Sequence, residues 1–134
     1  MEVIRLENSL ILATMLKAMY KELFNDASDD IKLYIDIAEK HIKEDYVFSN
    51  PCYNGFYIMK DITIPVLPTK RWDGVAVYIK PEKRNTKLLN MFYDHMFSNF
   101  EGDIIGFVEP ESNHLKVLQK RHALLGYVYK LNRS

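Results

Sequence analysis

Val75-Ala76-Val77-Tyr78-Ile79-Lys80-Pro81-Glu82-Lys83-Arg84 is where the chain changes its grammar. The first five residues are β-branched, small or aromatic and read as a strand. Pro81 has no N–H to give to a ladder, so the strand ends before it in a charged turn. Beyond the turn, Leu88, Phe92, Met96 and Phe100 recur every fourth residue and predict a helix. Asp103-Ile104-Ile105-Gly106-Phe107-Val108 then reads as a buried strand. A strand, a helix and a second strand in that order imply parallel pairing, because only a crossover of this length returns the chain to the same end of the sheet.

The same reading extends outward in both directions. Leu115, Leu118, His122 and Leu125 predict a further helix, with Gly126 as its C′ residue, and Tyr127-Val128-Tyr129-Lys130-Leu131 a last strand. Upstream, Tyr46–Ser49 and Gly55–Met59 are short strands separated by Asn, Pro and Gly, which predicts an antiparallel meander into the strand that starts at Gly74. Pro65 and Pro68 mark an irregular segment within it. Ile11, Leu12, Met15, Leu16, Met19 and Leu23 give a helical stripe starting at Asn8 or Ser9 and stopping near Asn25. Ser28 is the expected N-cap of a second helix, with Asp29 and Asp30 in its first turn and Ile31, Ile35, Ala38 and Ile42 on its apolar stripe. Val3–Leu6 is the expected first strand. The expected class is α/β (α+β mixed sheet), in the order β-α-α-β-β-β-α-β-α-β. Its central sheet is mixed and mostly antiparallel, flanked by four helices, and one domain spans residues 1–134.

With 134 residues, 48% of them hydrophobic, the chain can bury a real core. Eighteen Lys and Arg cancel eighteen Asp and Glu, which excludes a broad nucleic-acid binder whose affinity comes from excess positive charge. The cancellation is uneven: residues 1–67 hold seven basic against eleven acidic side chains, and residues 68–134 eleven against seven. Cys52 is the single cysteine, so no intrachain disulfide forms, in keeping with a reducing compartment. No leader-like start and no run of about 18 apolar residues is found, so no membrane association and a cytoplasmic location are expected. His41 and His95 stand on separate helices without metal-ligand spacing, and no metal is expected.

Two stretches carry a resemblance. Val75 to Arg84 is similar to the central strand and "V-x-P-E-x-R" turn of the GNAT N-acetyltransferase superfamily, with Leu88-Leu89 in the helix that follows. Ser112-Asn113, a helix and then Leu125-Gly126-Tyr127 resemble that family's closing "N…L-G-F" unit. The order of elements resembles the family over essentially the whole chain. The resemblance implies an N-acyltransferase that moves an acetyl group from acetyl-CoA to a small-molecule or protein amine. It places the cofactor at Ile79, Lys80, Lys83, Arg84, Asn85, Thr86 and Lys87, with Asn113 beyond. The family's general acid, usually a tyrosine, corresponds in position to His122. No carboxylate lies on Val75–Ile79, and Glu82 and Glu109 at strand ends are the nearest candidates for a general base.

This chain departs from the family's Arg/Gln-x-x-Gly-x-Gly/Ala turn, because Lys87 and Leu89 stand at the two small positions. A side chain there is expected to crowd a phosphate approaching the backbone. Lys80, Lys83, Arg84 and Lys87, opposed only by Glu82, still give +3 over eight residues, at a helix start where cations oppose the helix dipole. That conflict points to a phosphate or acidic partner. Phe56, Tyr57, Trp72 and Tyr78 are read as interior packing, with an acceptor groove as the other use. The reading from a second class is a catalytically inactive protein of the same fold, like short GNAT-like proteins of tailed phages. Such a protein would act in virion assembly or as a protein-binding module, in host cytoplasm or virion.

Overall fold

Asn8 and Asp30 decide where the two N-terminal helices begin. In the computed structural model, which describes residues 2–84, 86–107, 128 and 129, strand β1 (Ile4–Arg5) leads into α1 (Ser9–Leu23). The Asn8 side chain accepts from the Ile11 N–H at 3.1 Å and satisfies one of the unpaired donors of the first turn. The second helix, α2 (Ile31–Glu44), is capped by Asp30 rather than by the expected Ser28. Asp30 accepts from the Lys32 N–H at 3.0 Å, while the Ser28 hydroxyl accepts from the Asp30 N–H and shapes the approach to the cap. Three capping residues in a row let the chain choose the last of them.

Four antiparallel strands follow one another across the sheet: β1, β2 (Tyr46–Ser49), β3 (Gly55–Asp61) and β4 (Arg71–Ile79). After a 3₁₀ turn at Pro81–Lys83 and helix α3 (Leu88–Asn99), β5 (Asp103–Phe107) returns parallel to β4. Strand β6 (Val128–Tyr129) is parallel to β5, and the six strands lie in sequence order. The mixed, mostly antiparallel sheet expected from the sequence is therefore observed. The helix expected over Leu115–Leu125 lies outside the described residues.

Strand β4 starts three residues earlier than Gly74 suggested, and the reason is a bulge. Ile58 is opposite Ala76 and Met59 is opposite Gly74, so Val75 is an extra residue on β4. An extra residue shifts the alternation of side chains by one. Trp72 and Gly74 lie on the same face as Val77 and Ile79, which an unbroken strand could not achieve. That face packs Tyr57, Met59, Trp72 and Ile79 against Leu88, Leu89, Phe92, Tyr93 and Met96 of α3. The opposite face packs Val47, Phe56, Ile58 and Tyr78 against Leu12, Ala13, Met15 and Leu16 of α1 and Tyr34 and Ala38 of α2. The sheet is thus buried on both sides. Phe56, Tyr57, Trp72 and Tyr78 are all core residues, divided between its two faces.

Candidate functional site

The sheet's upper end is set by the carboxyl end of β4. Gly55 pairs with Ile79 there, and the Lys80 N–H donates to the Asn54 carbonyl at 2.8 Å, so the β2–β3 turn lies beside the basic segment. That turn contains Tyr53, held at φ 53°, the one positive-φ residue other than glycine among those described. Its N–H and that of Asn54 both reach buried Asn50, through the Asn50 carbonyl and side chain respectively. Cys52, on the same turn, is exposed.

Among the described residues, β4 and β5 pair over Arg71–Gly74 with Asp103–Gly106, the lower half of β4 and nearly all of β5. Strand β4 runs on to Ile79, and among the described residues no strand partner lies on that side of Val75–Ile79.

The turn is folded on itself. The Lys83 N–H donates to the Lys80 carbonyl at 2.8 Å, the Arg84 N–H to Pro81 at 3.4 Å, and the Thr86 N–H to Lys83 at 3.3 Å. The Thr86 hydroxyl donates to the Lys83 carbonyl at 2.6 Å and accepts from the Leu88 N–H at 3.3 Å, so it caps α3 where Lys87, at the N-cap position, does not. Four backbone donors of this segment are thus already used. The two positions that depart from the family pattern behave differently. Leu89 is turned into the core, 9% exposed, away from any approaching anion, whereas Lys87 is exposed. Lys80 is half-buried, and Lys83, Glu82 and Thr86 are exposed.

Arg84 is the exception among the cations. Its Nε donates to the Ile79 carbonyl at 2.9 Å, and its two terminal nitrogens both donate to the Glu22 carboxylate, Nη2 to Oε2 at 2.6 Å. The guanidinium also lies 5.8 Å from the Tyr78 ring centroid. This fork-to-carboxylate pairing joins the end of α1 to the end of β4. The hydrogen bond from Arg84 holds the Glu22 carboxyl below its ordinary value, and the same bond pushes Arg84 up. Burial, followed by the charge of Glu22, pushes the Tyr78 phenol up.

Of the residues proposed from sequence, Ile79, Lys80, Glu82, Lys83, Arg84, Thr86 and Lys87 share one end of the sheet. Asn85, Glu109, Asn113 and His122 lie outside the described residues. Glu22 went unnoticed in the sequence; its partner is 62 residues away and no local pattern signals the pairing. The two histidines that are described have structural partners. His41 Nδ1 is 2.8 Å from Asp45 Oδ2, and the Tyr57 hydroxyl meets His95 Nδ1 at 2.5 Å. Among the described residues no three His, Cys, Asp or Glu side chains converge to hold a metal, and no helix is long and apolar enough to cross a membrane.

No family model and no curated protein matches the sequence. Solved structures do resemble the fold. A ribosomal-protein-alanine N-acetyltransferase from Brucella melitensis biovar Abortus 2308 aligns at 15% identity with a TM-score of 0.66, over 99% of this chain and 96% of its own. An integron cassette protein from the mobile metagenome of V. cholerae aligns at 10% identity with a TM-score of 0.72, over 99% and 91%. An aminoglycoside acetyltransferase from an uncultured soil metagenomic sample, in complex with sisomicin, aligns at 12% identity with a TM-score of 0.58, over 98% and 96%. At these identities the likeness is one of fold.

Proposed function

We propose that this chain, which has the fold of the GNAT acetyltransferases, is an acyltransferase that takes an acetyl group from acetyl-CoA and gives it to an amine. The observation that carries the reading is the gathering of Lys80, Lys83 and Lys87 at the carboxyl end of β4, in the turn that opens into α3. Acetyl-CoA would supply an activated thioester and a pyrophosphate. The residues present fit it in one respect that the sequence left open. Leu89 is stored in the core, so the turn meets an anion with Lys83 and Lys87 rather than with a bulky apolar group. With the backbone donors of Lys83, Arg84, Thr86 and Leu88 engaged internally, side-chain cations carry more of the phosphate recognition than in a glycine-rich turn.

The carboxyl end of β4 would hold a thioester carbonyl against the incoming amine. Fixing the two reactants side by side is worth up to about 7–11 kcal/mol in well-oriented systems. As the amine nitrogen bonds to the carbonyl carbon, the C–S bond breaks. The amine's proton needs a base and the departing sulfur needs a proton. Glu82 or Glu109 is proposed for the first role and His122 for the second.

Calorimetric titration with CoA and acetyl-CoA tests the reading. Binding is expected, and a Lys83→Ala, Lys87→Ala double variant should weaken it by about tenfold, the equivalent of ~1.4 kcal/mol. Absence of heat and of thermal shift at millimolar ligand overturns it. The second reading, an inactive protein-binding member of the fold, is favoured by one observation: Arg84 is already engaged by Glu22. Its partner surface would then be sought at the exposed apolar tip of the β3–β4 loop, Ile64, Val66 and Leu67.

A further inference from the structure

We infer that Glu22 is a built-in competitor for the phosphate turn, a carboxylate that holds the Arg84 guanidinium until an anion displaces it. The inference rests on the reading of that turn as a phosphate site. An arginine fork binds carboxylate and phosphate in the same bidentate geometry, so Glu22 occupies Arg84 as a donor phosphate would. Both side chains are open to water, 37% and 41% exposed. A dissolved anion can therefore reach the pair without unfolding anything. The pairing is also asymmetric. Arg84 is anchored through Nε to the Ile79 carbonyl, on the rigid end of β4. Glu22 sits one residue before the end of α1, next to Leu23 and Phe24, which are largely exposed. The carboxylate is the partner that gives way, and Arg84 stays where the turn needs it.

Displacement links two parts of the fold. The α1–α2 connection, residues 24–30, starts two residues after Glu22, so occupation of the turn by an anion removes one of the contacts at the end of that helix and leaves those of Lys21 with Ala27 and Asp29. In a protein where donor and acceptor meet at the end of β4, this makes the donor's arrival loosen the α1–α2 side. The pairing contributes a bounded effect, because an exposed ion pair changes an equilibrium by only ~2–5-fold.

The test uses inorganic pyrophosphate as the probe, titrated into the full chain and followed by the backbone amide shifts of Lys83 and Lys87 and by the Arg84 Nε–H resonance. Glu22→Gln keeps the size of the side chain and removes its charge. It is expected to bind pyrophosphate ~2–5-fold more tightly than the unaltered chain. Asp26→Asn, which removes an equal charge from the exposed connection, should bind less than twofold more tightly. In an Arg84→Gln background the further change Glu22→Gln should add nothing. Equal affinity in the unaltered chain and Glu22→Gln, or an equal gain from Asp26→Asn, overturns the inference and leaves the phosphate reading standing. No shift in any variant, with CoA equally silent in calorimetry, overturns the phosphate reading and the competition together. A purely structural Glu22 would lower the thermal midpoint without tightening pyrophosphate binding, which also overturns it.

Discussion

Gly55 and Gly74 stand on paired strands, and the same substitution should have opposite consequences at the two sites. A Cβ built on Gly55 falls 2.3 Å from the Tyr78 carbonyl oxygen, 3.0 Å from Ile79 Cδ1 and 3.1 Å from Ile79 Cα. Two of those three atoms are backbone of the neighbouring strand and cannot rotate away. Gly55→Ala must therefore push β3 off β4 by something near 1 Å, at the pairs Gly55–Ile79 and Phe56–Tyr78. The Ser49 hydroxyl bond to the Gly55 carbonyl, 2.5 Å, and the Lys80 N–H bond to Asn54, 2.8 Å, lie in the path of that shift. Overpacking costs about 1–3 kcal/mol, and each disturbed hydrogen bond up to ~1 kcal/mol. The restricted unfolded chain offsets about 0.4–1 kcal/mol. The net expectation is a loss of ~2 kcal/mol.

At Gly74 the corresponding Cβ meets only the Ile105 carbonyl oxygen at 3.6 Å and Met59 Sδ at 4.0 Å, which are ordinary contacts. Gly74→Ala should be neutral or stabilising by up to about 1 kcal/mol. Urea unfolding measures both. With a slope of ~1–3 kcal/mol per molar, the Gly55 variant should unfold about 1 M earlier at unchanged slope, and the Gly74 variant no earlier than the unaltered chain. A Gly55 variant as stable as the unaltered chain, or a Gly74 variant as damaged as the Gly55 one, would refute the strand geometry at the end of β4 on which the site depends.

Three further outcomes are expected. Burial holds His95 below its ordinary value of 6.5, so the unfolded chain takes up a proton that the folded chain refuses. Its contribution to stability is whole above the unfolded value and is lost as pH falls through 6.5 toward the lowered folded one. Unfolding midpoints between about pH 7.5 and 5.5 should fall in the unaltered chain and fall less in His95→Phe; identical slopes would contradict this. Phe92→Ala, emptying a fully buried site between β3 and α3, should cost about 3–5 kcal/mol in the same urea assay. Asn8→Ala and Asp30→Ala, each deleting a helix cap, should cost about 1 kcal/mol apiece and be additive within a few tenths, as expected for independent sites.

Periodicity made the elements legible, and local alternatives blurred their edges. The stripe from Ile11 to Leu23 gave α1 to within a residue or two, because its apolar residues share one side that meets both the sheet and α2. The cap of α2 moved from Ser28 to Asp30 because adjacent residues had equal capping chemistry and the tertiary fit decided. Gly74 looked like the start of a strand because glycine usually punctuates one; here it lies inside β4, next to the bulge that brings Trp72 and Val77 to the same face. A bulge leaves no mark in a single strand, since it is defined by the residue it faces. The same limit applies to the site. Residue types at the turn were readable from Lys80 to Lys87, but not that Leu89 would be drawn inward by the α3 core, nor that Tyr57 and His95 would find each other across it.

Glu22 gives the uneven charge balance a physical meaning. The acidic half of the sequence and the basic half are not two separate fields, because the Glu22–Arg84 pair joins them at the end of the sheet where charge would act on a ligand. With Arg84 neutralised, the cations left at the turn are Lys80, Lys83 and Lys87 against Glu82, a weaker attraction than the sequence alone suggested. An anion that displaces Glu22 gains the fourth cation as it binds. The turn's effective charge therefore depends on its occupancy, whereas in a glycine-lined phosphate turn the backbone donors are fixed in advance. Preorganised donors favour tight, rapid binding, and a donor released by competition favours ligands able to replace both carboxylate oxygens at once. A diphosphate satisfies that condition; a halide, a single acceptor atom, does not. Chloride should therefore compete with pyrophosphate only through general screening, and the difference between Glu22→Gln and the unaltered chain should persist as salt is raised to about 0.15 M.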